Sequence, residues 1–170
     1  MASTQGGDPA PGDLVIREGT AEELDLIKDL WLDHYQSQKL NITLPPDAFE
    51  QWLVSMKPAY GRFTINFVAA AGGKIVGFLA GRVRTMPSYF GGGLCGYLTE
   101  ICVEPEYRRH GVARKLLLTS FDWYKQHGIR RVESSVMLEN HASQKMAMSV
   151  GLKPEQYLLI WTADSPESHS

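Results

Sequence analysis

The segment from residue 103 to residue 113 constrains the fold and chemistry of this chain more than any other. An apolar strand pattern ends at Val103, and Pro105 interrupts it. A basic turn that contains Gly111 follows, and an apolar helix pattern begins directly after it. A helix that begins in this way presents free backbone N–H groups and the positive end of its dipole to a bound phosphate. The segment therefore predicts that a phosphorylated ligand binds at residues 108–114; the alternative is that Gly111 is only a turn residue and the arginines form a solvated face.

The hydrophobic patterns on either side of this turn predict one α/β domain. A Gly-Gly pair at residues 72–73 joins two apolar runs as a two-residue hairpin. Because hairpins alternate with strand–helix–strand units, we expect a mixed, mostly antiparallel sheet of about six to seven strands flanked by about four helices. The predicted strands cover residues 14–17, 66–71, 74–83, 97–103, 131–137 and 157–161. The predicted helices begin with a capping box at Thr20 and Glu23, after Pro46, near Val112 and at Asn140.

Composition limits the domain organisation and the classes of partner. Residues 1–12 and 164–170 are rich in small and polar residues and predict flexible tails, so the domain covers residues 13–163. The net charge of −2 argues against a nucleic-acid partner, and we expect no membrane association because no apolar run is long enough to span a bilayer. Cys95 and Cys102 form neither a disulfide framework nor a metal motif. We therefore expect a cytoplasmic location and no metal.

The basic turn also resembles the signature of a known family. The pattern Arg108-x-x-Gly111-x-Ala113 is similar to the R/Q-x-x-G-x-G/A motif of the GNAT N-acetyltransferase superfamily. The similarity extends through Leu116 in the following helix and resumes at Asn140. The order of the predicted elements from residue 14 to residue 161 agrees with the GNAT fold, so the resemblance covers nearly the whole chain.

The resemblance implies acetyl-coenzyme A (acetyl-CoA) as a co-substrate. Backbone amides of the turn would hold the pyrophosphate, and the edge of the preceding strand would pair with the pantetheine arm as an added strand. Asn140 would contact the pantetheine, although an asparagine at this position also predicts a helix N-cap. The residues that the resemblance assigns to acetyl-CoA are Ile101, Cys102, Val103, Arg108, Arg109, His110, Gly111, Val112, Ala113, Arg114, Asn140 and Ser143.

The implied reaction is a direct transfer of the acetyl group to a primary amine. An alkylammonium group with a pKa near ~10.4 must lose its proton before it can attack. Glu100 is the candidate general base, because its strand would end at the thioester; the alternative is a surface glutamate paired with an arginine. In strict alternation Glu100 shares a face with Leu98 and Cys102, and a strand bulge would change that assignment.

The family's usual general acid is missing from this chain. Many members carry a tyrosine seven residues after the asparagine, and this position is occupied here by Ala147. A thiol with a pKa near ~8.5 can leave as a thiolate without full protonation, so the loss does not exclude catalysis. Tyr97 is a candidate substitute, and the sequence does not identify the acid.

The acceptor is expected to be the amine of a small molecule. The glycines at residues 91–93 predict either a flexible connection or, with Tyr89 and Phe90 beside them, a lid over an enclosed acceptor site. His34 and Tyr35 would line the same site, although the amphipathic stripe of the first helix also accounts for His34. The alternatives are an acetyltransferase for protein N-termini or lysines and a non-catalytic acyl-CoA sensor. An exposed final strand would also allow the chain to form a homodimer.

Overall fold

The computed structural model describes residues 14–38 and 43–161. The strands are β1 (Val15–Glu18), β2 (Thr64–Ala71), β3 (Lys74–Thr85), β4 (Leu94–Val103) and β5 (Arg131–Ser134). The helices are α1 (Lys28–Ser37), α2 (Ala48–Met56), α3 (Val112–Gln126) and α4 (His141–Ser149). The strands form one sheet in the order β1-β2-β3-β4-β5, antiparallel except for the parallel pair β4–β5. The predicted mixed α/β architecture is therefore confirmed.

Helices cover both faces of the sheet. On one face, which we call the α1/α2 face, Phe49 and Phe78 belong to an apolar cluster between the sheet and these two helices. On the opposite face, the α3 face, Phe67, Leu116 and Tyr124 are buried in a second cluster. The apolar stripe of each helix explains this arrangement, because burial against a sheet removes that stripe from water.

Local signals in the sequence account for the ends of several elements. The N–H of Thr20 donates to Oε2 of Glu23 at 3.0 Å, and the N–H of Glu23 donates to Oγ1 of Thr20 at 3.3 Å, so the predicted capping box is confirmed. The chain then forms a 3-10 helix over Glu22–Ile27 before α1 begins. Gly128 follows α3 in the left-handed conformation, with φ at +74°.

The predicted final strand is wrong. Residues 152–161 have no regular secondary structure, and the side chains of residues 157–161 are between 77% and 90% exposed. β5 is also shorter than predicted and ends at Ser134, so the described residues form a sheet of five strands instead of six to seven. The apolar composition of the last segment favours an extended chain, but a strand forms only where a neighbouring strand pairs with its backbone.

Two further predictions concern the chain's ends and membranes. The tails predicted for residues 1–12 and 164–170 lie outside the described residues. Within the described ranges, none of the helices combines the length and the apolar character needed to cross a bilayer.

Candidate active site

Strand β4 contains one extra residue at the centre of the sheet. Ala80 of β3 lies opposite Glu100, whereas the next residue, Gly81, lies opposite Leu98. Thr99 is therefore the extra residue of a β-bulge. Leu98 packs in the cluster on the α3 face, whereas Glu100 contacts residues of α1 and α2. Strict alternation, which would place Leu98 and Glu100 on one face, is wrong here because the bulge intervenes.

Beyond the bulge, one edge of β4 is free. β5 pairs with β4 only from Cys95 to Leu98. Residues 100–103 pair with β3 on one side, and no strand of the described chain pairs with residues 99–103 on the other. A bulge increases the local twist of a strand, which explains why β5 diverges from β4 at this point. The result is an open strand edge that a ligand can extend.

The turn after β4 presents unpartnered N–H groups. Arg109 and Gly111 both adopt left-handed conformations, with φ at +66° and +75°. Residues in this region can orient successive amides toward one anion. No acceptor among residues 14–38 and 43–161 takes a hydrogen bond from the backbone amides of residues 109–114. α3 begins directly after Gly111 without a side-chain cap, so the positive end of its dipole adds to this anion-binding surface.

A cavity of about 430 Å³ lies beside these amides. It is lined by the end of β4, by the turn, by the first residues of α3 and by one side of α4. The sequence predicts nine of its lining residues as acetyl-CoA contacts, namely Ile101, Val103, Arg108, Arg109, Gly111, Val112, Ala113, Arg114 and Ser143. Sequence reasoning missed three further lining residues, Tyr107, Ala142 and Met146.

The other residues predicted to contact acetyl-CoA lie outside the cavity lining. The side chain of Cys102 is buried on the α1/α2 face, where burial raises the pKa of its thiol to about 11 and makes it a poor nucleophile. Asn140 acts as the N-cap of α4, because its Oδ1 accepts from the N–H of Ser143 at 3.0 Å. His110 is exposed on the turn.

The side chain of Arg108 connects the turn to α1. Its Nε donates to the carbonyl oxygen of Val103 at 2.7 Å, and its Nη2 donates to Oδ2 of Asp33 at 2.8 Å. Arg108 therefore holds the turn in place with its own side chain. Arg109 and Arg114, by contrast, are exposed beside the unpartnered amides.

Glu100 is a buried carboxylate in which one oxygen accepts hydrogen bonds and the other accepts none from the described residues. Its side chain lies beneath α1 and α2, and the residue is only 5% exposed. The hydroxyl of Tyr35 donates to Oε1 at 2.8 Å, and Nε1–H of Trp52 donates to the same oxygen at 3.1 Å. Oε2 of Glu100 and Oγ1 of Thr99 have no hydrogen-bond partner within the described residues. Oε2 is therefore a buried acceptor that no donor of the described chain occupies.

Burial raises the pKa of Glu100 above its ordinary value. The neighbouring Thr99 hydroxyl, the hydrogen bonds from Tyr35 and Trp52 and the nearby charge of Arg82 oppose this shift without cancelling it. A carboxylate with a raised pKa is a stronger base, which is the property required of a group that takes a proton from an amine. Burial also raises the pKa of Tyr35, so its hydroxyl stays a donor.

The remaining acceptor-site candidates are spread over a wider area. His34, in the last turn of α1, contacts Nε2 of Gln38 through its own Nε2 at 2.6 Å, and burial lowers the pKa of its ring. The hydroxyl of Tyr97 lies 2.9 Å from Oγ of Ser135. Tyr89 and Phe90 are 83% and 71% exposed and pack against each other, so the structure does not bring them to Glu100.

Trp52 is the contact of Glu100 that sequence reasoning missed. Its spacing with Phe49 and Met56 on α2 predicts a purely apolar core residue, and the side chain is indeed buried. The indole N–H, however, must also find an acceptor when it is buried. Glu100 provides that acceptor from a position 48 residues further along the chain, and no local pattern connects the two.

Comparison with known proteins identifies the class to which this fold and site belong. The model of the acetyltransferase (GNAT) family matches residues 24–152. Aminoglycoside N(6')-acetyltransferase type 1 of Salmonella typhimurium is 29% identical over 101 residues, which cover 56% of this chain and 67% of that protein. AAC(6')-Iy in complex with a bisubstrate analogue has a TM-score of 0.71 and 22% identity, covering 88% of this chain and 97% of that chain. The structure of a transcriptional regulator from Bacillus halodurans also has a TM-score of 0.71, with 16% sequence identity. The matched region covers 88% of this chain and 99% of that chain.

The chain belongs to the acetyltransferase (GNAT) family. The predicted GNAT fold is confirmed, with five strands in place of the expected six to seven. The protein is an N-acetyltransferase that uses acetyl-CoA as its co-substrate, as the resemblance of the turn implies.

Proposed function

We propose that this protein transfers an acetyl group from acetyl-CoA directly to the primary amine of a small molecule. The observation that carries the proposal is that the unpartnered amides of residues 109–114, beside the cavity, and the buried carboxylate of Glu100 flank the free edge of one strand. The names of related proteins supply independent support, because aminoglycoside N-acetyltransferases act on amines of small molecules.

The donor side of the site is made by the main chain. When bound, acetyl-CoA would supply the thioester whose carbonyl carbon the amine attacks. The amides of residues 109–114 and the dipole of α3 bind the pyrophosphate. The free edge of residues 101–103 aligns the pantetheine arm, and a backbone N–H of β4 polarises the thioester carbonyl.

The acceptor side supplies proton transfer. Oε2 of Glu100 accepts the proton of the amine, directly or through one water molecule, while Tyr35 and Trp52 hold Oε1 in place. Tyr97 is the candidate proton donor for the departing thiolate. Ala147, at the position where many family members carry a tyrosine, is buried and supplies no proton.

Two measurements on the whole chain test the proposal. Calorimetry should detect binding of coenzyme A, and a thiol-release assay with acetyl-CoA should show turnover with small primary amines and none with peptides. Binding without turnover on any amine would identify an acyl-CoA sensor. Turnover confined to peptide N-termini or lysines would identify a protein acetyltransferase, and either result rejects a small-molecule acceptor.

We also propose that the protein forms a homodimer through residues 157–161. These consecutive apolar residues are exposed and form no regular secondary structure, and β5 offers an edge that no strand within the described residues occupies. Pairing of each segment with β5 of a second copy would bury both in one symmetric interface. Light scattering should therefore give the mass of a dimer for the natural chain and of a monomer for Leu159→Asp. A monomeric natural chain would reject the interface.

We propose a cytoplasmic location and a single domain over residues 13–163, and both proposals come from the sequence. Cys95 and Cys102 are free and buried, which supports a reducing, cytoplasmic location. The single domain proposed for residues 13–163 is supported by the one sheet that joins β1 to β5.

A further inference from the structure

Two arginines lie on the α1/α2 face of the sheet, near Glu100. Arg82 and Arg84 flank Val83 in β3, and Val83 is buried on the opposite face, so both arginines project to the α1/α2 face. Arg82 is two residues from Ala80, which is the register partner of Glu100. At the rise of a strand, Arg82 therefore begins about 7 Å along the sheet from Ala80. A small molecule bound at Glu100 would lie within reach of this guanidinium.

Neither guanidinium forms an ion pair with a carboxylate of the described chain. Nη2 of Arg82 donates to Oγ of Ser55 at 2.8 Å, and Nη1 makes a longer bond of 3.4 Å to the carbonyl oxygen of Ser55. The guanidinium carbon of Arg84 lies 3.5 Å from the centre of the Tyr97 ring. Because a guanidinium carries five N–H donors, both groups keep donors for a ligand.

The charge of this face distinguishes between classes of acceptor. Glu133 lies across from Tyr97, but Arg131 already pairs with it at 2.7 Å. Arg131 also pairs with Glu155 at 2.6 Å, so these three groups together carry one net negative charge. The positive charge beside Glu100 is therefore confined to the guanidinium groups of Arg82 and Arg84. An aminoglycoside would bring several ammonium groups to this surface, and like charges brought together oppose binding. A carboxylate would instead receive charge-assisted hydrogen bonds from the planar guanidinium donors.

We propose that the acceptor is a primary amine that also carries a carboxylate, and that Arg82 and Arg84 bind this carboxylate while the amine meets Oε2 of Glu100. The inference rests on the proposed function, because it assigns the acceptor of the same site. A carboxylate-bearing acceptor would distinguish this chain from the aminoglycoside N-acetyltransferases to which the chain is similar.

The first test compares acceptors that differ in one group. Thiol release from acetyl-CoA is measured with common α-amino acids and with linear ω-amino acids of increasing length, each beside its own carboxamide. Aminoalkyl phosphates and sisomicin complete the panel. We expect kcat/KM for the preferred carboxylate to exceed that of its carboxamide at least about 10-fold, the value of one charge-assisted hydrogen bond.

The second test removes the arginines. Arg82→Gln and Arg84→Gln should each raise KM for the carboxylate acceptor about 10- to 100-fold. Because the charge of Arg82 also lowers the pKa of Glu100, the variants are compared at alkaline pH, where Glu100 stays ionised and kcat should change little. The same variants should leave KM for the carboxamide and the Kd of coenzyme A unchanged. Lys125→Gln removes a positive charge from an exposed position on α3, across the sheet, and serves as the matched control. Calorimetry with the N-acetylated product and with its carboxamide provides a readout independent of turnover.

The outcomes separate this inference from the proposed function. If uncharged amines or sisomicin are acetylated best, or if the arginine variants affect carboxylates and carboxamides equally, the carboxylate-binding role is rejected while the enzyme assignment stands. Preference for the aminoalkyl phosphates likewise rejects a carboxylate. Binding of coenzyme A without turnover of any amine rejects both.

Discussion

Main-chain atoms form the proposed acetyl-CoA side of this molecule, whereas side chains from three separate segments form the proposed acceptor side. The amides of residues 109–114 are contiguous, and their conformation depends on the local turn. Glu100, Tyr35 and Trp52 come together only because two helices pack on the sheet, and Tyr35 lies 65 residues from its partner Glu100. Recognition by consecutive amides can therefore be encoded in a short motif. Recognition of the acceptor depends on the tertiary structure.

The strongest test of the acetyl-CoA side is Gly111→Glu. The new carboxylate would lie where the pyrophosphate binds, so we expect the affinity for coenzyme A to fall at least about 100-fold, equivalent to ~2.7 kcal/mol. Calorimetry with coenzyme A measures the loss.

Gly128→Glu is the matched control for this change. Gly128 has φ at +74°, against +75° for Gly111, and a Cβ at either position meets no atom within 4 Å. Both variants should lose about 1–2 kcal/mol of unfolding free energy through backbone strain. Only Gly111→Glu should lose binding; equal affinities in the two variants would remove the turn from the site.

The corresponding test of the acceptor side is Glu100→Gln. We expect kcat to fall about 100-fold while the Kd of coenzyme A stays constant, because the base acts only on the amine. The raised pKa of Glu100 also fixes the sign of the pH dependence. Below this pKa the carboxyl group is protonated and cannot accept a proton, so kcat of the natural chain should fall as the pH is lowered. Glu100→Gln should lack this decrease. If the pH profile of Glu100→Gln were the same as that of the natural chain, another group would be the base.

Tyr35→Phe should have a smaller effect on the same profile. The hydroxyl of Tyr35 donates to Oε1 of Glu100 and favours the charged carboxylate, so its removal should raise the pKa of Glu100 further. The acidic limb of kcat should therefore move to higher pH, by less than about one unit. Tyr60→Phe is the control, since the Tyr60 hydroxyl donates to the carbonyl of Gly19 instead. A shift to lower pH, or an equal shift in both variants, would contradict the role of this hydrogen bond.

The smallest expected effect concerns the ion pair that joins the two sides. Asp33 on α1 pairs with Arg108 on the turn at 2.8 Å, and both side chains are about half exposed. Because exposed ion pairs contribute about 1 kcal/mol or less, Asp33→Asn should weaken binding of coenzyme A only a few-fold. Asp25→Asn breaks the similarly exposed pair with Lys57 and should not alter binding. A loss as large as that of Gly111→Glu would show that Arg108 itself holds the pyrophosphate.

Much of the fold could be predicted because its signals are local. The capping box at Thr20, the Gly-Gly hairpin and the break before α3 each depend on a few adjacent residues, and each is present in the structure. Whether the chain has a final strand at residues 157–161 could not be predicted from adjacent residues alone. Its sequence favours an extended chain, but whether residues 157–161 form a strand depends on an available partner strand.

The acceptor side was only partly predictable for the same reason. Glu100 and Tyr35 can be named as separate candidates, but their hydrogen bond exists only in the folded chain. The positions of Trp52 and Arg82 follow from helix packing and from the register of β3 with β4. No sequence spacing encodes either arrangement, because each joins segments that are far apart along the chain.

The extra residue at Thr99 has a consequence for how this scaffold tolerates length changes. The bulge lies where β5 departs from β4 and immediately precedes Glu100. Deleting Thr99 would keep Leu98 and Glu100 on their present sides, yet it would flatten the twist that separates the two strands. Deletion of this one residue would therefore disturb two features together, the strand edge open to the thioester arm and the position of the proposed proton acceptor. Neither feature uses the Thr99 side chain as a ligand or base.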